Sequence, residues 1–485
     1  MKLIIVESPH KCDTIGKFLG SDYLVVASKG HIRDLASSGK MGLGVDVDHD
    51  FKPTYAVSPD KVAVVKELKA DLAKADDVYL ATDPDREGEA ISWHLAQVLN
   101  LDVYKTKRLE FHEITKPAIL KALQNPRTID LKLVESQETR RIIDRLMGYR
   151  LSYLLQKKIK SRSAGRVQSV VLKFIVDREK EIKAFVPVEY WSIAATFEDG
   201  LKADLASYLD KPIKINNEDE ANKVIAALPA SFVIKSLKTE TKYREPKPPF
   251  ITSTMQQEAF SQFHFSIKKT SAVAQKLYEG KEINGTSTGL ITYMRTDSTR
   301  LSDEFKASSK DFITNRFGAN YLGKVHMQKA DKNIQDAHEA IRPTDLSLTP
   351  SVVKDSLTKD EYQLYSLIYD RALASLMAPK ATSVSTVVLD GNGYGFTTSA
   401  SQPVFDGYTK VYGKYEDQEE PSKLPELKEG QSLVKKDVTK EQHFTKAPAR
   451  YNEGKVVKLM QENGIGRPST YSPTVTTLID RDYVE

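Results

Sequence analysis

The apolar positions at the start of the chain come in short runs broken by polar turns. Lys2-Leu-Ile-Ile-Val6 has the near-continuous apolar character of a strand buried on both faces. Ser8-Pro9 then supplies an N-cap and first-turn pair, predicting a helix through Phe18. The same patterning predicts a strand over 23–27, an amphipathic helix over 58–75, a strand over 77–81, a helix over 88–99 and a strand over 108–111. Strands and helices alternating in this way argue for an α/β layer. Glu7 sits just past the first strand, and Asp83, Asp85 and Glu87 just past Val78-Tyr-Leu-Ala-Thr82, at the sheet edge where open α/β folds bind ligands.

The pattern changes further on. Residues 136–181 read as helical and basic, interrupted by Ser161-Arg-Ser-Ala-Gly-Arg166. Residues 191–244 look β-rich, and Pro246-Lys-Pro-Pro-Phe250 marks a boundary. A helical stretch over 252–277, with Ser253 or Thr254 as cap, and another over 358–376 precede a return to β character over 381–415. The charged, proline-containing stretch 416–442 reads as a connecting loop or hinge. A chain of 485 residues is too long for one core and predicts roughly three or four domains.

Composition narrows the classes. A hydrophobic content of 40% suffices for globular cores, and the net charge of +5 matters only where basic residues cluster. They do so between Arg140 and Arg166, where Arg140, Arg141, Arg145, Arg150, Lys157, Lys158, Lys160, Arg162 and Arg166 face a single acid, Asp144. The lone Cys12 excludes an intrachain disulfide and a cysteine-based zinc site, and fits a reducing compartment. No apolar run approaches the roughly 20 residues of a spanning helix, and the amino-terminal run is too short for a signal sequence. A soluble, intracellular protein is expected.

Two stretches carry candidate chemistry. Asp83-Pro-Asp-Arg-Glu87 offers hard oxygen ligands of the kind Mg²⁺ takes, in a context that is neither a phosphate-binding glycine loop nor an EF-hand; an acidic helix start explains the same residues. Carboxylates brought together raise one another's pKa, which would let Glu7 stay protonated as a general acid. In Gly289-Leu-Ile-Thr-Tyr-Met-Arg-Thr-Asp-Ser298, a β-like alternation would put Tyr293 and Arg295 on one face, where phenol and guanidinium could meet one phosphate. A phenol with its pKa near about 10 needs such help to become a nucleophile. With 22 tyrosines in the chain, ordinary packing accounts for it as well.

Further motifs follow in order: Ser28-Lys-Gly-His-Ile-Arg-Asp-Leu35, Phe111-His-Glu-Ile-Thr115, Arg140-Arg-Ile-Ile-Asp-Arg145, Ser163-Ala-Gly-Arg-Val-Gln-Ser169, Thr252-Ser-Thr-Met-Gln-Gln-Glu258, Gln335-Asp-Ala-His-Glu-Ala-Ile-Arg-Pro-Thr344 and Gly464-Ile-Gly-Arg-Pro-Ser-Thr-Tyr471. Glu7 with Lys11 and the later Asp83-x-Asp85-x-Glu87 resembles the Toprim signature, and the whole series resembles the type IA DNA topoisomerases across essentially the full chain. Met294 resembles the bacterial topoisomerase I branch of that family.

The resemblance implies an ATP-independent enzyme in which Tyr293 cleaves one DNA strand through a 5′-phosphotyrosyl link, a second strand passes, and the break is resealed, relaxing negatively supercoiled DNA. Arg295 would stabilise the phosphoryl transition state, Glu7 protonate the leaving 3′-oxygen, Lys11 hold the phosphate and His338 support it; Asp83, Asp85, Glu87 and Glu7 would bind Mg²⁺. Arg141 and Arg145, four apart on a helix, with Arg166, Gln168 and Ser169, would track DNA, and His31 and Glu113 match family positions near the site. The implied architecture is a four-domain ring: a Toprim α/β domain over 1–135 with an excursion near 35–60, a basic helical DNA-binding domain over 136–191 and 446–485, a β-rich arch over 192–252 and 379–445, and a mixed helical domain over 253–378 carrying Tyr293. Single-stranded segments of negatively supercoiled duplex are the expected partner, with no membrane, a monomeric state and a cytoplasmic, nucleoid-associated location. The ending at Glu485 falls where a truncated DNA-binding domain is expected. Competing readings are a topoisomerase III-like decatenase, a Toprim metal-dependent nuclease or primase, and a DNA-binding module alone.

Overall fold

The computed structural model describes residues 1–198, 200–324, 338–417 and 420–485, so Gln335, Asp336 and Ala337 of the His338 motif lie outside the described residues. At the amino-terminal end four parallel strands lie in the order Tyr23–Ala27, Lys2–Val6, Asp77–Ala81, Lys107–Arg108. Successive side chains leave a strand on opposite faces. Ile4 and Val6 accordingly join Ile15 of the helix Pro9–Leu19, while Leu3 and Ile5 join Val64, Leu68, Ile91 and Leu95 of the helices Val62–Leu72 and Arg86–Val98. The chain runs outward from Lys2–Val6 on one side and returns on the other, so the carboxyl ends of Lys2–Val6 and Asp77–Ala81 form the topological switch point.

The fourth strand is shorter than the sequence pattern suggests. Only Lys107 and Arg108 pair with Tyr79 and Leu80; after Leu109 the chain leaves the sheet. At its end Arg108 is fully buried and turns its guanidinium to Glu89 and to the carbonyl of Asp83. The helix expected over 58–75 begins with a 3₁₀ turn, Pro59–Lys61, and Ser8 precedes its helix without a side-chain cap, its hydroxyl donating to Glu279 instead.

Antiparallel strands build a second sheet in the order Lys211–Pro212, Lys202–Tyr208, Tyr394–Phe405, Lys380–Gly391, Ser231–Arg244, Ser432–Phe444, Glu189–Phe197. Lys202–Asp204 also pairs with Ala194–Thr196, closing the sheet into a barrel around Phe197, Phe232, Leu389 and Phe396. Closure removes the edges at which strands recruit other chains. Two expectations are corrected here. The end of the stretch read as a connecting loop or hinge over 416–442 is part of the strand Ser432–Phe444, whose largely exposed faces account for its charged composition. Within the β-rich reading sit two helices, Glu218–Ala227, capped by Asn217, and Thr409–Tyr412. From the barrel a ribbon of long strands runs out to Arg244 and Lys380.

The ribbon leads into a helical layer, Thr252–Phe263, Ile267–Glu279, Asp303–Phe317 and Lys359–Ala374. The helix expected over 252–277 is two, because His264 takes a left-handed conformation, φ 55°, and breaks it. One continuous core joins this layer to a face of the parallel sheet, from Ile4, Ile15 and Ile114 to Leu277, Leu290 and Ile368. The basic helix Leu131–Ile159, with Gln168–Ala184, Glu453–Glu462 and Pro468–Asp480, completes the molecule; the last three share a core of Val171, Val457, Met460 and Val475. Leu35, Leu43 and Val45, from the excursion between sheet strands, pack against Ile142 and Leu146 of the long helix.

Candidate active site

Asp83-Pro-Asp-Arg-Glu87 is the turn from the strand Asp77–Ala81 into the helix Arg86–Val98, and its hydrogen bonds fix each carboxylate differently. Asp85 is the helix N-cap: its Oδ1 accepts from the Gly88 amide at 2.8 Å. Gly88 is required there, since a Cβ would strike the Asp83 carbonyl. Asp83 is ion-paired with Lys11, which rises one helical turn after Glu7. Glu87 turns away from both, its Oε2 accepting from Gln137 at 3.0 Å and lying 3.5 Å from His31.

The segment with Tyr293 is extended but is not a ladder strand, which corrects the β-like reading. Ile291 forms an isolated bridge with Pro343, and the Gly289 and Tyr293 amides donate to Ile114 and His112. These partners are irregular segments, so no sheet propagates, yet they hold the backbone to the α/β layer. Tyr293, 2% exposed, donates its hydroxyl to Asp85 Oδ2 at 2.7 Å, and Arg295 Nη1 lies 3.4 Å from the same oxygen. His338 Nε2 donates to the Pro84 carbonyl at 2.6 Å, its ring centroid 5.9 Å from that of Tyr293. Tyr293, Arg295, His338, Asp85, Asp83, Lys11 and Glu7 therefore converge where two layers meet.

The electrostatics of the cluster separate its members. Burial, then the charge of Asp83, pushes the Glu7 carboxyl up to about 7, against the pull of Lys11 and Arg295. Burial acts the same way on Asp85 but is outweighed by Arg295, the Tyr293 hydroxyl and the Gly88 amide, which hold it below its ordinary value. Burial tends to lower Lys11, yet Asp83 and Glu7 keep it above its ordinary value and charged. Burial, then Asp85 and Asp83, drives the Tyr293 phenol well above its usual value, so the phenol stays protonated.

Three of these carboxyl groups, Glu7, Asp83 and Asp85, bear on one another in a buried place, a donor set that suits a hard divalent cation with few carboxylate ligands. Among the described residues no three His, Cys, Asp or Glu side chains are already gathered as a ligand set, and the Asp83 and Asp85 oxygens instead meet Lys11, Tyr293 and Arg295.

A cleft opens beside this cluster, lined by Asp85, Arg86, Arg140, Arg295, His338 and Arg467. A neighbouring cavity, sharing Glu87 and Arg140 with it, reaches His31, Asp34 and Arg141. Asp34 takes a bidentate pair from Arg141 and accepts from Arg145 at 3.2 Å, and Arg166 Nε donates to Asp144 at 2.9 Å. Gln168 Nε2 donates to Ser163, and Ser169 Oγ accepts from the Gly165 amide, both contacts local to the turn. Glu113 is not drawn into this groove; it pairs with Arg342 at 3.2 Å in a separate cavity behind the interface. Arg86, Arg140 and Arg467 line the cleft although the sequence does not single them out as site residues. Each lies inside a motif, but arginine on a helix face carries no sign of which groove it borders.

Residues 2–114 match the family model described as the Toprim domain, and 128–485 that described as DNA topoisomerase. The chain is 47% identical over 490 residues to DNA topoisomerase 1 of Campylobacter jejuni subsp. jejuni serotype O:2, covering 99% of this chain and 69% of the relative. It superposes with a TM-score of 0.89 on full-length topoisomerase I from Thermotoga maritima, at 43% identity, over 100% of this chain and 79% of that one. A Toprim layer whose acidic edge receives a tyrosine from a second layer defines a class, and the chain belongs to the type IA DNA topoisomerases, in the bacterial topoisomerase I branch.

Proposed function

We propose that this topoisomerase works by transesterification at Tyr293. The phenolic oxygen attacks a backbone phosphorus, the bond to the 3′-oxygen breaks, and a 5′-phosphotyrosyl ester and a 3′-hydroxyl result. The phenolic proton passes to Asp85, its hydrogen-bond acceptor; Glu7 gives its own proton to the departing oxygen. Lys11 and Arg295 present fixed positive charge to the phosphate, and His338 braces the turn that carries Asp85. The ester conserves the energy of the broken bond, so resealing needs no ATP. Asp83 and Asp85, with Glu7 beside them, would hold Mg²⁺, which would supply charge neutralisation for positioning the 3′ end in rejoining. The observation that carries this reading is the hydrogen bond of a buried tyrosine to a Toprim carboxylate.

The substrate we infer is a single-stranded segment of negatively supercoiled duplex, led along Arg140, Arg141, Arg145 and Arg166 to the cleft, with a monomer in the cytoplasm as the working form. The four-domain division by residue ranges given above is part of the proposal, with the seam between the Toprim layer and the tyrosine-bearing layer as the gate. Incubation with an end-labelled single-stranded oligonucleotide and denaturation should leave a protein-linked 5′ end, and Tyr293→Phe should bind the oligonucleotide without forming it. An adduct in that variant removes Tyr293 from the role.

A further inference from the structure

Tyr278, in the last turn of the helix Ile267–Glu279, is fully buried, yet among the described residues its hydroxyl has no hydrogen-bond partner. Its ring is wedged between two groups of the active site: Lys11 Nζ lies 5.3 Å from the ring centroid, and the Tyr293 ring 5.2 Å away at 65°. The charges that bear on the hydroxyl are Asp83, Glu279, Glu7 and Asp85. The position is rigid, because the helix end is gripped by the Toprim layer. Ser8 Oγ donates to Glu279 Oε1 at 2.7 Å, and Thr14 Oγ1 to the Glu279 carbonyl at 3.0 Å. Gly280, φ 125°, lets Thr14 approach where a Cβ would collide.

A buried phenol normally finds an acceptor, and one left unmade is destabilising. Phenylalanine would fill the same space, stack on Tyr293 and carry Lys11 on its face without that penalty. The hydroxyl is thus explained by an acceptor that enters the cluster during the reaction, and the acceptor group that must come between Lys11 and Tyr293 is a phosphodiester.

We propose that Tyr278 is a second tyrosine of the reaction, donating a hydrogen bond from its hydroxyl to the scissile phosphate while its ring sets the spacing of Lys11 and Tyr293. The inference rests on Tyr293 being the nucleophile. Tyr278 keeps its proton throughout and forms no bond to phosphorus.

The test uses Tyr278→Phe in the whole chain, with divalent metal chelated and protein saturating over an end-labelled single-stranded oligonucleotide. Adduct formation should slow roughly 100-fold, the loss expected for one preorganised donor to a developing oxyanion. Oligonucleotide affinity should be unchanged and the thermal midpoint equal or higher. Tyr278→Leu, which also removes the ring, should slow cleavage further. Wild-type rates in Tyr278→Phe would overturn the proposal, as would slow cleavage accompanied by weaker binding and a lower thermal midpoint. Normal cleavage with slow metal-supported rejoining overturns it too, since the acceptor then belongs to the metal. If the unaltered chain forms no adduct, the Tyr293 reading fails; if it does and Tyr278→Phe matches it, only the Tyr278 proposal fails.

Discussion

The hydroxyl of Tyr293 donates to Asp85 Oδ2 at 2.7 Å although 208 positions separate the two residues. Asp85 is held on its other oxygen by the Gly88 amide, so a helix N-cap orients the carboxylate that accepts the Tyr293 hydroxyl hydrogen bond. Phenol and carboxylate thus come from different layers, and each is aimed by its own backbone.

Asp85→Asn keeps the cap but replaces the proton acceptor with an amide. Metal-free cleavage of an oligonucleotide should fall by roughly 10²–10⁴-fold, the usual range for general-base assistance. Binding measured by anisotropy should persist. Cleavage at the original rate would show that the phenol loses its proton elsewhere.

Glu7 has a signed pH dependence. Its carboxyl is raised from 4.5 to about 7, so between those values the folded chain holds a proton that the unfolded chain releases. The associated stability is complete below pH 4.5 and lost as pH rises through 7. Glu7→Gln should therefore raise the thermal midpoint at pH 8 and leave it unchanged at pH 4. Cleavage by the unaltered chain should decline above pH 7, while the variant should be slow and flat with pH.

Buried charge inside the Toprim layer gives a stability prediction. Glu89, 1% exposed, binds Arg108 at 3.2 Å and takes two 2.8 Å contacts from Arg127. Glu89→Ala strands the fully buried Arg108 and should cost about 3–5 kcal/mol in denaturant unfolding followed by the Toprim signal. A loss near zero would mean that the carbonyls of Leu80, Leu109 and Asp83 satisfy Arg108 alone.

Asp34 holds both Arg141 and Arg145. Asp34→Ala should tighten single-strand binding at low salt, because both guanidiniums are released to phosphates. Arg141→Ala should weaken it and reduce the slope of log K against log salt by about 0.7. Titrations at several salt concentrations check both.

Most of the Toprim layer was legible because its strands are buried on both faces and its helices carry one apolar stripe; the strand 2–6, the strand 23–27 and the strand 77–81 read directly from apolar runs. Ser432–Phe444 did not, because a largely exposed barrel strand carrying Lys435, Lys436 and Lys440 resembles a linker. His264 breaks a helix through its backbone conformation, which carries no composition signal. In the site, Glu7, Lys11, Asp83, Asp85, Tyr293 and His338 were nameable from motifs, but not which oxygen each would hold. The turning of Glu87 toward Gln137 and of Glu113 toward Arg342 depends on layers that meet only in three dimensions.

The core that runs unbroken from Ile4 and Ile114 to Leu277 and Leu290 makes the seam between the two layers a thermometer. Apolar burial weakens on cooling, whereas the phosphotyrosyl ester proposed to hold the DNA does not. In the proposed cleaved complex, chilling should therefore shift the balance toward parted layers, and warming toward closed ones.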